Sequence, residues 1–382
     1  MVNDPYGGRL VNRTLDGAKR LRRLNEVDEI PRIEIDKRTA LDAEKIADGT
    51  YSPLEGFIGE DDFETIIKKE RLASGLTWTI PILLAPSKGS NQIRNLAEGD
   101  DLALYHAKKP IATLHVEDIF EFNKNELTEK VYGTLNPEHP EISKIQSLGE
   151  KAIGGKIDLI QPVDKQTMKV ELSPIETREE FRKRGWKSIA AYQTRNPPHI
   201  AHEYLQRCAL EIVDGVFIHP IVGELKKDDF PPDAIIESYD QLIKNYYNIE
   251  RVLLSPLSIS MRYAGPKAAI FLAIIRKNYG CSHFIVGRDM AGVKNYYKPY
   301  EAHEKFKNLD IGIEPILFRE SFFCKSCKIV ATDKTCGHDL EDHLKVSMTQ
   351  IRDMIRQGKK PPSHAIRPEI LDILMKYIGR AN

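Results

Sequence analysis

One short segment of the chain concentrates side chains that bind anions. Residues 193–202 read Gln-Thr-Arg-Asn-Pro-Pro-His-Ile-Ala-His and stand between an apolar run that predicts a strand and a pattern that predicts a helix. His199 and His202 are three residues apart, so both imidazoles lie on one helical face. Unpaired N–H groups of a first helical turn favour phosphate, and the planar guanidinium of Arg195 suits phosphate or sulfate. The segment indicates a phosphate-handling reaction centre.

A simpler interpretation of the same segment needs no chemistry. Two prolines can start a helix while both histidines cap it or face solvent, which is what most isolated His-x-x-His pairs do. Against this, four polar residues with anion-binding side chains precede the helix directly: Gln193, Thr194, Arg195 and Asn196. Their concentration at a strand-to-helix junction favours a functional site.

A second polar loop follows the apolar run at 284–286. It reads Gly-Arg-Asp-Met-Ala-Gly from Gly287 to Gly292. Glycines allow a nucleotide to approach the backbone closely, and Arg288 can hold phosphates. Two glycines alone are weak support, because many connections between strands and helices carry them. Beside the first segment the loop is a strong sign of nucleotide binding.

Together the two segments resemble the signatures of sulfate adenylyltransferases, Gln-Thr-Arg-Asn-Pro-x-His-x-x-His and Gly-Arg-Asp-His-Ala-Gly. Further matches cover most of the chain and lie at 51–57, 219–223, 261–266 and 346–352. Two positions depart from the family: Met290 replaces a histidine and Met348 replaces a glycine. Because Met290 cannot donate a hydrogen bond, we expect at most an apolar contact with the nucleotide from it.

The resemblance implies the reaction of ATP and sulfate to adenosine 5′-phosphosulfate and pyrophosphate, with Mg²⁺ on the nucleotide. It implies that sulfate is bound by Gln193, Arg195 and the backbone of Ala291. It implies these catalytic residues: Thr194, Arg195, Asn196, His199 and His202. It implies these ATP contacts: Gln193, Thr194, Arg195, Asn196, His199, His202, Gly287, Arg288, Asp289 and Met290. A homodimer is also implied, whereas no Gly-x-x-x-x-Gly-Lys-Ser/Thr segment of a fused adenylylsulfate kinase occurs.

Three further residues have weaker claims on the site. His219 ends a predicted strand at the ligand-binding edge of a sheet, where it either lines the site or has a structural role. Arg262 precedes a predicted helix and is either a phosphate contact or an ordinary surface arginine. His283 opens a predicted buried strand, so we expect it to be structural.

A cysteine cluster near the C-terminus has the residue types of a closed tetrahedral zinc site. Cys324 and Cys327 form a Cys-x-x-Cys pair, and Cys336 follows after a short loop. His343 has the easier reach as the fourth ligand, but His338, tight against Cys336, is the alternative. Such closed sites are usually structural. Three buried free thiols that happen to cluster are a much weaker explanation.

The elements that must position these residues predict an α/β protein with three parts. Short apolar runs such as 78–84 and 101–106 predict strands of a mostly β domain, PUA-like by the resemblance, over 1–168. Strands alternating with helices predict a Rossmann-like domain with a parallel sheet over 169–320, and the resemblance implies that it is the nucleotidyltransferase domain. A small zinc-bearing subdomain is predicted over 321–382. The predicted strands and helices of the central part are 187–192, 199–213, 215–220, 232–246, 251–255, 266–278, 283–286, 300–307 and 314–318.

Composition and charge exclude some classes of protein. The 382 residues carry 56 Lys+Arg and 56 Asp+Glu, so no global field draws the chain to nucleic acid or to a membrane. The sequence shows neither a long apolar span nor a signal peptide, and we expect a cytoplasmic protein. Two rival functions stay open: another His-x-x-His nucleotidyltransferase with a different acceptor, and a zinc-bearing nucleic-acid-binding protein, which zero net charge disfavours.

Overall fold

The computed structural model describes residues 2–87, 95–164, 167, 169–224 and 229–380. The helices are α1 Gly17–Glu26, α2 Lys37–Ala47, α3 Glu60–Lys69, α4 Lys124–Tyr132, α5 Pro140–Ser147, α6 Pro174–Lys183, α7 Ile200–Leu210, α8 Pro232–Tyr246, α9 Pro266–Asn278, α10 Glu301–Lys307, α11 Met348–Arg356 and α12 Pro368–Arg380. The strands are β1 Arg32–Glu34, β2 Gly56–Phe57, β3 Asp101–His106, β4 Lys109–His115, β5 Asp118–Glu121, β6 Lys151–Leu159, β7 Ile189–Thr194, β8 Gly215–Pro220, β9 Val252–Leu254, β10 His283–Val286, β11 Glu314–Leu317, β12 Phe322–Cys324, β13 Ile329–Ala331 and β14 His343–Lys345. None of the described helices is long and apolar enough to cross a membrane.

The N-terminal part is built on a mixed sheet in the order β1-β3-β4-β6-β2, with β5 also paired to β6. Only the β1–β3 pair is parallel among these strands. The predicted strand at 78–84 is wrong. Trp78, Ile80 and Ile82 are fully buried, but Pro81 has no N–H for a ladder, and Leu84 makes only an isolated bridge to Ile153. Burial, rather than sheet pairing, accounts for this apolar run.

The central sheet is parallel throughout, in the order β11-β10-β7-β8-β9. The chain builds β7, β8 and β9 in one direction, and then α9 returns it to place β10 on the other side of β7. The order of strands therefore reverses between β7 and β10. In open α/β sheets, ligands bind outside the carboxyl ends of the strands at such a switch point. The first polar segment begins in the last two residues of β7, and the second follows β10 directly.

Two cores cover the two faces of the central sheet. Alternate residues of β8 point to opposite faces, so Phe217 joins one core while Val216 and Ile218 join the other. The first core is continuous with the N-terminal part and contains α9, which is buried all round. Its Phe271 meets Trp78 edge to face, with ring centroids 5.5 Å apart. This shared core fixes the N-terminal part against the site-bearing sheet.

The C-terminal part contributes to the second core and to a separate small sheet. Helices α11 and α12 bury Ile351 and Leu371 together with Ile235 of α8. Strands β13-β12-β14 form an antiparallel sheet that we call the ribbon (residues 322–345). Because its own core is small, the ribbon suits a metal staple. The limits 1–168, 169–320 and 321–382 stay a prediction.

Candidate active site

The switch point brings the two polar segments together around one cavity of about 250 Å³. Its wall includes these residues predicted from the sequence: Gln193, Thr194, Arg195, Asn196, His202, Gly287, Asp289, Met290 and Ala291. Tyr192, Leu205, Met261 and Ile285 supply apolar wall. His199 and Arg288 are not among the residues that line this cavity. A concave site in which polar groups converge beside apolar wall is the usual setting for a small-molecule ligand.

The turn between β7 and α7 is fixed by its own hydrogen bonds. The N–H of Asn196 donates to Thr194 Oγ1 at 3.0 Å, and that hydroxyl donates to the Asn196 carbonyl at 3.2 Å. Strand β7 ends at Thr194, and the buried Pro197 and Pro198 follow the turn. His199 is the extended residue before α7, and its side chain makes no capping bond. The Thr194 hydroxyl therefore already serves the turn in this structure.

The two histidines form a stacked pair at the start of α7. Their ring centroids lie 3.6 Å apart with an interplanar angle of 22°. Both Nδ1 atoms are buried, and neither has a hydrogen-bond partner within the part of the chain that the structure describes. Burial, and secondly the neighbouring His202, lowers the pKa of His199 well below its usual range. Burial lowers the pKa of His202 to about 4. Both rings are therefore neutral at pH 7, and each then carries a single N–H donor rather than a positive charge.

Arg195 is held by two residues to which the sequence analysis gave no role. Its Nη1 donates to the Tyr263 hydroxyl at 2.7 Å and to Asp229 Oδ2 at 3.2 Å. Its guanidinium carbon lies 5.0 Å from the centroid of the Tyr263 ring. Tyr263 belongs to the matching segment 261–266, which was the available signal. Asp229 gave none, because it lies in a loop outside every motif.

The loop after β10 is shaped by glycines and by bonds from α10. The carbonyl of Gly287 accepts from His303 Nε2 at 3.0 Å, which ties the loop to α10. A Cβ at Gly287 would have no heavy atom within 4 Å, whereas one at Gly292 would lie 2.2 Å from Asp289 Oδ1. Gly287 is thus open, and Gly292 makes room for a carboxylate whose pKa burial raises and Arg288 lowers. The absence of a side chain therefore matters at both positions, but for a different spatial reason at each.

Two other residues of this loop differ in how well they suit the predicted contacts. Met290 packs against the first core while it lines the cavity, which agrees with an apolar contact. Ala291 has a φ of +58°, in the left-handed region, and its carbonyl accepts from the Gly265 N–H at 3.2 Å. Arg288 is directed to the side, where Nη1 lies 3.7 Å from Glu320 Oε1. A role for Arg288 in binding phosphate requires this exposed guanidinium to turn.

Three candidates from the sequence lie away from the cavity. Arg262 is buried and donates to both carboxylate oxygens of Asp42, so it is neither a free phosphate contact nor a surface arginine. His219 is fully buried, with its ring 4.3 Å from that of Phe217, which agrees with the structural interpretation. His283 lies 3.3 Å from a glutamate on the neighbouring strand, as expected for a structural residue.

The ribbon gathers four potential metal ligands, and the histidine among them is His338. Its Nδ1 lies 3.2, 3.6 and 3.7 Å from the sulfurs of Cys327, Cys336 and Cys324. Tetrahedral zinc with usual bond lengths requires about 3.5 Å between nitrogen and sulfur and about 3.8 Å between sulfurs. The Cys327–Cys336 sulfur distance is 3.7 Å. The donor set and its spacing therefore fit zinc.

His343, the ligand first expected from the sequence, does not join this cluster. It pairs with Cys324 across the β12–β14 ladder, and its ring stacks on Phe322 with centroids 3.6 Å apart. Although His343 lies opposite Cys324, its ring lies over Phe322, and its nitrogens are not among the ligand atoms that gather with the three sulfurs. His338 reaches them because it follows Cys336 in the same loop.

Comparison with known proteins agrees with this architecture. Residues 168–377 match the ATP-sulfurylase family model, and residues 3–162 match that of a PUA-like domain. Proteins named sulfate adenylyltransferase from Pyrococcus abyssi and Hyperthermus butylicus are 44% and 45% identical over 378 residues. These alignments span 99% of this chain and 98% and 97% of the two relatives.

A solved structure titled hexameric APS kinase from Thiobacillus denitrificans has the same fold over 98% of this chain and 69% of its own, with a TM-score of 0.77 and 24% identity. That likeness bears on the fold alone. One matched family model covers the N-terminal part and the other covers the central part and most of the C-terminal part, and the identity to the relatives extends over nearly the whole length. The chain belongs to the ATP-sulfurylase family.

Proposed function

We propose that the chain is a sulfate adenylyltransferase that converts ATP and sulfate into adenosine 5′-phosphosulfate and pyrophosphate. The observation that carries this is the cavity at the switch point, where Arg195 and His202 of one segment face Gly287 of the other. An anion-binding guanidinium, neutral donors and an open glycine suit a nucleotide beside a small oxyanion. The names of the relatives support sulfate as that oxyanion.

In the proposed reaction a sulfate oxygen attacks the α-phosphorus in line with the bond to the departing pyrophosphate. The new bond joins that oxygen to phosphorus, and the bond from the α-phosphorus to the bridging oxygen of the β-phosphate breaks. Sulfate is a dianion at neutral pH and needs no general base. The contribution of the protein is therefore positioning and stabilisation of charge.

The cavity wall suggests how the roles divide. Arg195, Gln193 and the backbone of Ala291 would hold sulfate, with the guanidinium supplying most of the charge. His202 would donate a hydrogen bond to the phosphates, and His199, stacked behind it, would support its orientation or donate after a small movement. Neutral imidazoles placed in advance stabilise developing charge without the cost of burying two cations. Asn196 and Thr194 would contact the same phosphates.

The second loop would hold the nucleotide. Gly287 leaves room for close approach, Met290 offers an apolar contact, and Asp289 lies on the wall near the expected phosphates. Arg288 would join them after leaving Glu320. Magnesium would come with the ATP phosphates, as the resemblance implies, and would offset their charge.

The remaining proposals concern metal, assembly and location. We propose zinc in the ribbon, held by Cys324, Cys327, Cys336 and His338 in a structural role, because all four positions of a tetrahedron are filled by protein ligands. We also propose a homodimer, as the resemblance implies. A cytoplasmic location is supported by five cysteines of which none forms a disulfide.

An assay of pyrophosphate release tests the proposed activity. Purified protein is given ATP and Mg²⁺ with sulfate, with phosphate, with nitrate, or with no added oxyanion. We expect release that requires sulfate and is matched by formation of adenosine 5′-phosphosulfate. Release that is independent of sulfate, or that needs another acceptor, would refute it. Bovine albumin carried through the same purification controls for contaminating pyrophosphatase and ATPase.

A further inference from the structure

A buried carboxylate lies between two arginines beside the cavity. The side chain of Asp229 is 8% exposed, and its Oδ2 lies 3.2 Å from Arg195 Nη1. Its Oδ1 lies 3.7 Å from Nη1 of Arg352, whose side chain is 15% exposed. Ion pairs this buried are strongly sensitive to loss of one partner, unlike pairs on the surface. Asp229 therefore constrains both guanidiniums.

The bonds to Arg195 determine which edge of its guanidinium is free. A guanidinium carries five N–H groups in one plane, and two of them belong to Nη1. Nη1 contacts Asp229 and the Tyr263 hydroxyl, and the ring of Tyr263 lies against the guanidinium face. The structure shows no hydrogen bond from Nε or Nη2 to any described residue. That second edge is the one suited to two parallel bonds with an oxyanion.

The charges of this group also suit a dianion. Arg195 and Arg352 carry two positive charges and Asp229 one negative charge, so the three together are net positive. Without the carboxylate, two partly buried guanidiniums would repel each other across a short distance before any ligand arrived. Asp229 offsets that repulsion and still leaves positive charge for sulfate.

We propose that Asp229 and Tyr263 are positioning residues that fix the plane of Arg195 so that its free edge grips sulfate. Through Arg352 the same carboxylate connects the sulfate arginine to α11, which belongs to the C-terminal part of the chain. This inference rests on the proposed function, since sulfate is the ligand that Arg195 is taken to hold. Neither positioning residue touches the reacting atoms.

Steady-state kinetics of four variants test the proposal. Asp229→Asn keeps the shape and removes the charge, Asp229→Glu keeps the charge, Tyr263→Phe removes one hydrogen bond, and Asp240→Asn is a control on an exposed ion pair of α8. We expect Asp229→Asn to raise the KM for sulfate about tenfold or more while the KM for ATP changes less than about twofold. Tyr263→Phe should give a smaller rise, Asp229→Glu should recover part of the loss, and Asp240→Asn should match the wild type.

The selective effect on sulfate separates positioning from general loosening. If Asp229→Asn leaves the KM for sulfate unchanged, or raises both KM values equally, the proposal is wrong. If the carboxylate of Asp229 were purely structural, its replacement would lower the melting temperature without raising the KM for sulfate more than the KM for ATP.

A second measurement does not depend on activity. The melting temperatures of Arg195→Ala, Asp229→Asn and the double variant form a cycle in which coupled residues give shifts that do not add. We expect the double variant to be clearly more stable than the sum of the single shifts predicts. Additive shifts would refute the claim that Asp229 holds Arg195 in position. If the wild type releases no pyrophosphate with sulfate, the proposed function fails, and the cycle still decides whether Asp229 holds Arg195.

Discussion

The imidazole rings of His199 and His202 stack face to face with centroids 3.6 Å apart, and burial keeps both neutral. Two stacked neutral rings can lie together at the start of a helix, where two imidazolium ions would repel each other and the helix dipole. In the free protein the two rings can therefore serve a phosphate site as neutral hydrogen-bond donors but not as cations.

This arrangement predicts that stability depends on pH. Because the pKa of each histidine is lower in the folded chain than the ordinary value of about 6.5, the unfolded chain binds the proton first. The contribution of the two neutral histidines to the free energy of unfolding is therefore fully present above about pH 6.5. It falls as the pH drops towards 4, by up to about 1.4 kcal/mol per pH unit for each histidine. Chemical denaturation between pH 7.5 and 5 measures it.

The matched variants for this prediction are His202→Gln and Gln146→Ala. Gln146 is an exposed residue of α5 that carries no ionisable group, so its replacement should leave the pH dependence as in the wild type. His202→Gln should reduce the slope by about the share of one histidine. An unchanged slope in His202→Gln would mean that the ring is not held neutral by burial.

The guanidinium of Arg195 should dominate the chemistry. Arg195→Ala is expected to lower kcat/KM for sulfate by about 10²- to 10³-fold, the usual effect of removing a donor from a charge-stabilising site. Arg195→Lys should recover little, because an ammonium lacks the planar fork. Arg22→Ala, on the exposed face of α1, is the control. Near-normal turnover by Arg195→Ala would remove this residue from the mechanism.

Two glycines of the second loop should respond differently to alanine. A methyl at Gly287 meets no heavy atom within 4 Å, so Gly287→Ala should keep the wild-type melting temperature but raise the KM for ATP several-fold. Gly292→Ala places Cβ 2.2 Å from Asp289 Oδ1, and it should lower the melting temperature as well. Kinetics and calorimetry on both variants check this. If Gly287→Ala binds ATP as the wild type does, the nucleotide does not approach that glycine.

Metal content distinguishes the two histidines of the ribbon. His338→Ala should lose bound zinc and lower the melting temperature, whereas His343→Ala should keep about one zinc per chain, since its ring packs on Phe322. Inductively coupled plasma mass spectrometry measures the zinc. Retention of zinc by His338→Ala together with its loss from His343→Ala would reverse the assignment. Loss of turnover in a chelated but fully folded protein would show that the metal is not merely structural.

The pattern of strands and helices in the central sheet was predictable because each element carries local signals. The predicted ranges 215–220, 232–246, 266–278 and 283–286 match the observed elements at both ends. Proline at the first helical turn marks where α8 and α9 begin. The predicted helix at 199–213 is longer than α7, because apolar spacing continues past the last helical hydrogen bond.

The strand predicted at 78–84 shows where local signals fail. Its apolar residues are buried between the N-terminal sheet and α9, and Thr79 donates to the carbonyl of Lys267. An apolar run predicts that a segment is buried, but it does not predict which backbone groups the segment pairs with. That information depends on the packing of the two parts.

The candidate site was predictable along the chain but not across it. Both loops were found because each concentrates its polar residues in one short segment. The hydrogen-bond partners of Arg195 are Asp229 and Tyr263, which lie 34 and 68 residues further along the chain. Arg262 was misplaced for the same reason, since its partner Asp42 is 220 residues distant. Contacts of this kind follow from sheet order and loop packing, which no local pattern encodes.

The most direct test of the central claim is the fate of labelled oxygen. Sulfate carrying ¹⁸O in all four positions is incubated with ATP, Mg²⁺ and the protein, and the products are followed by ³¹P NMR and mass spectrometry. Attack of sulfate on the α-phosphorus predicts one ¹⁸O bonded to the phosphorus of adenosine 5′-phosphosulfate and none in pyrophosphate. Label in pyrophosphate, or unlabelled AMP as the nucleotide product, would contradict it.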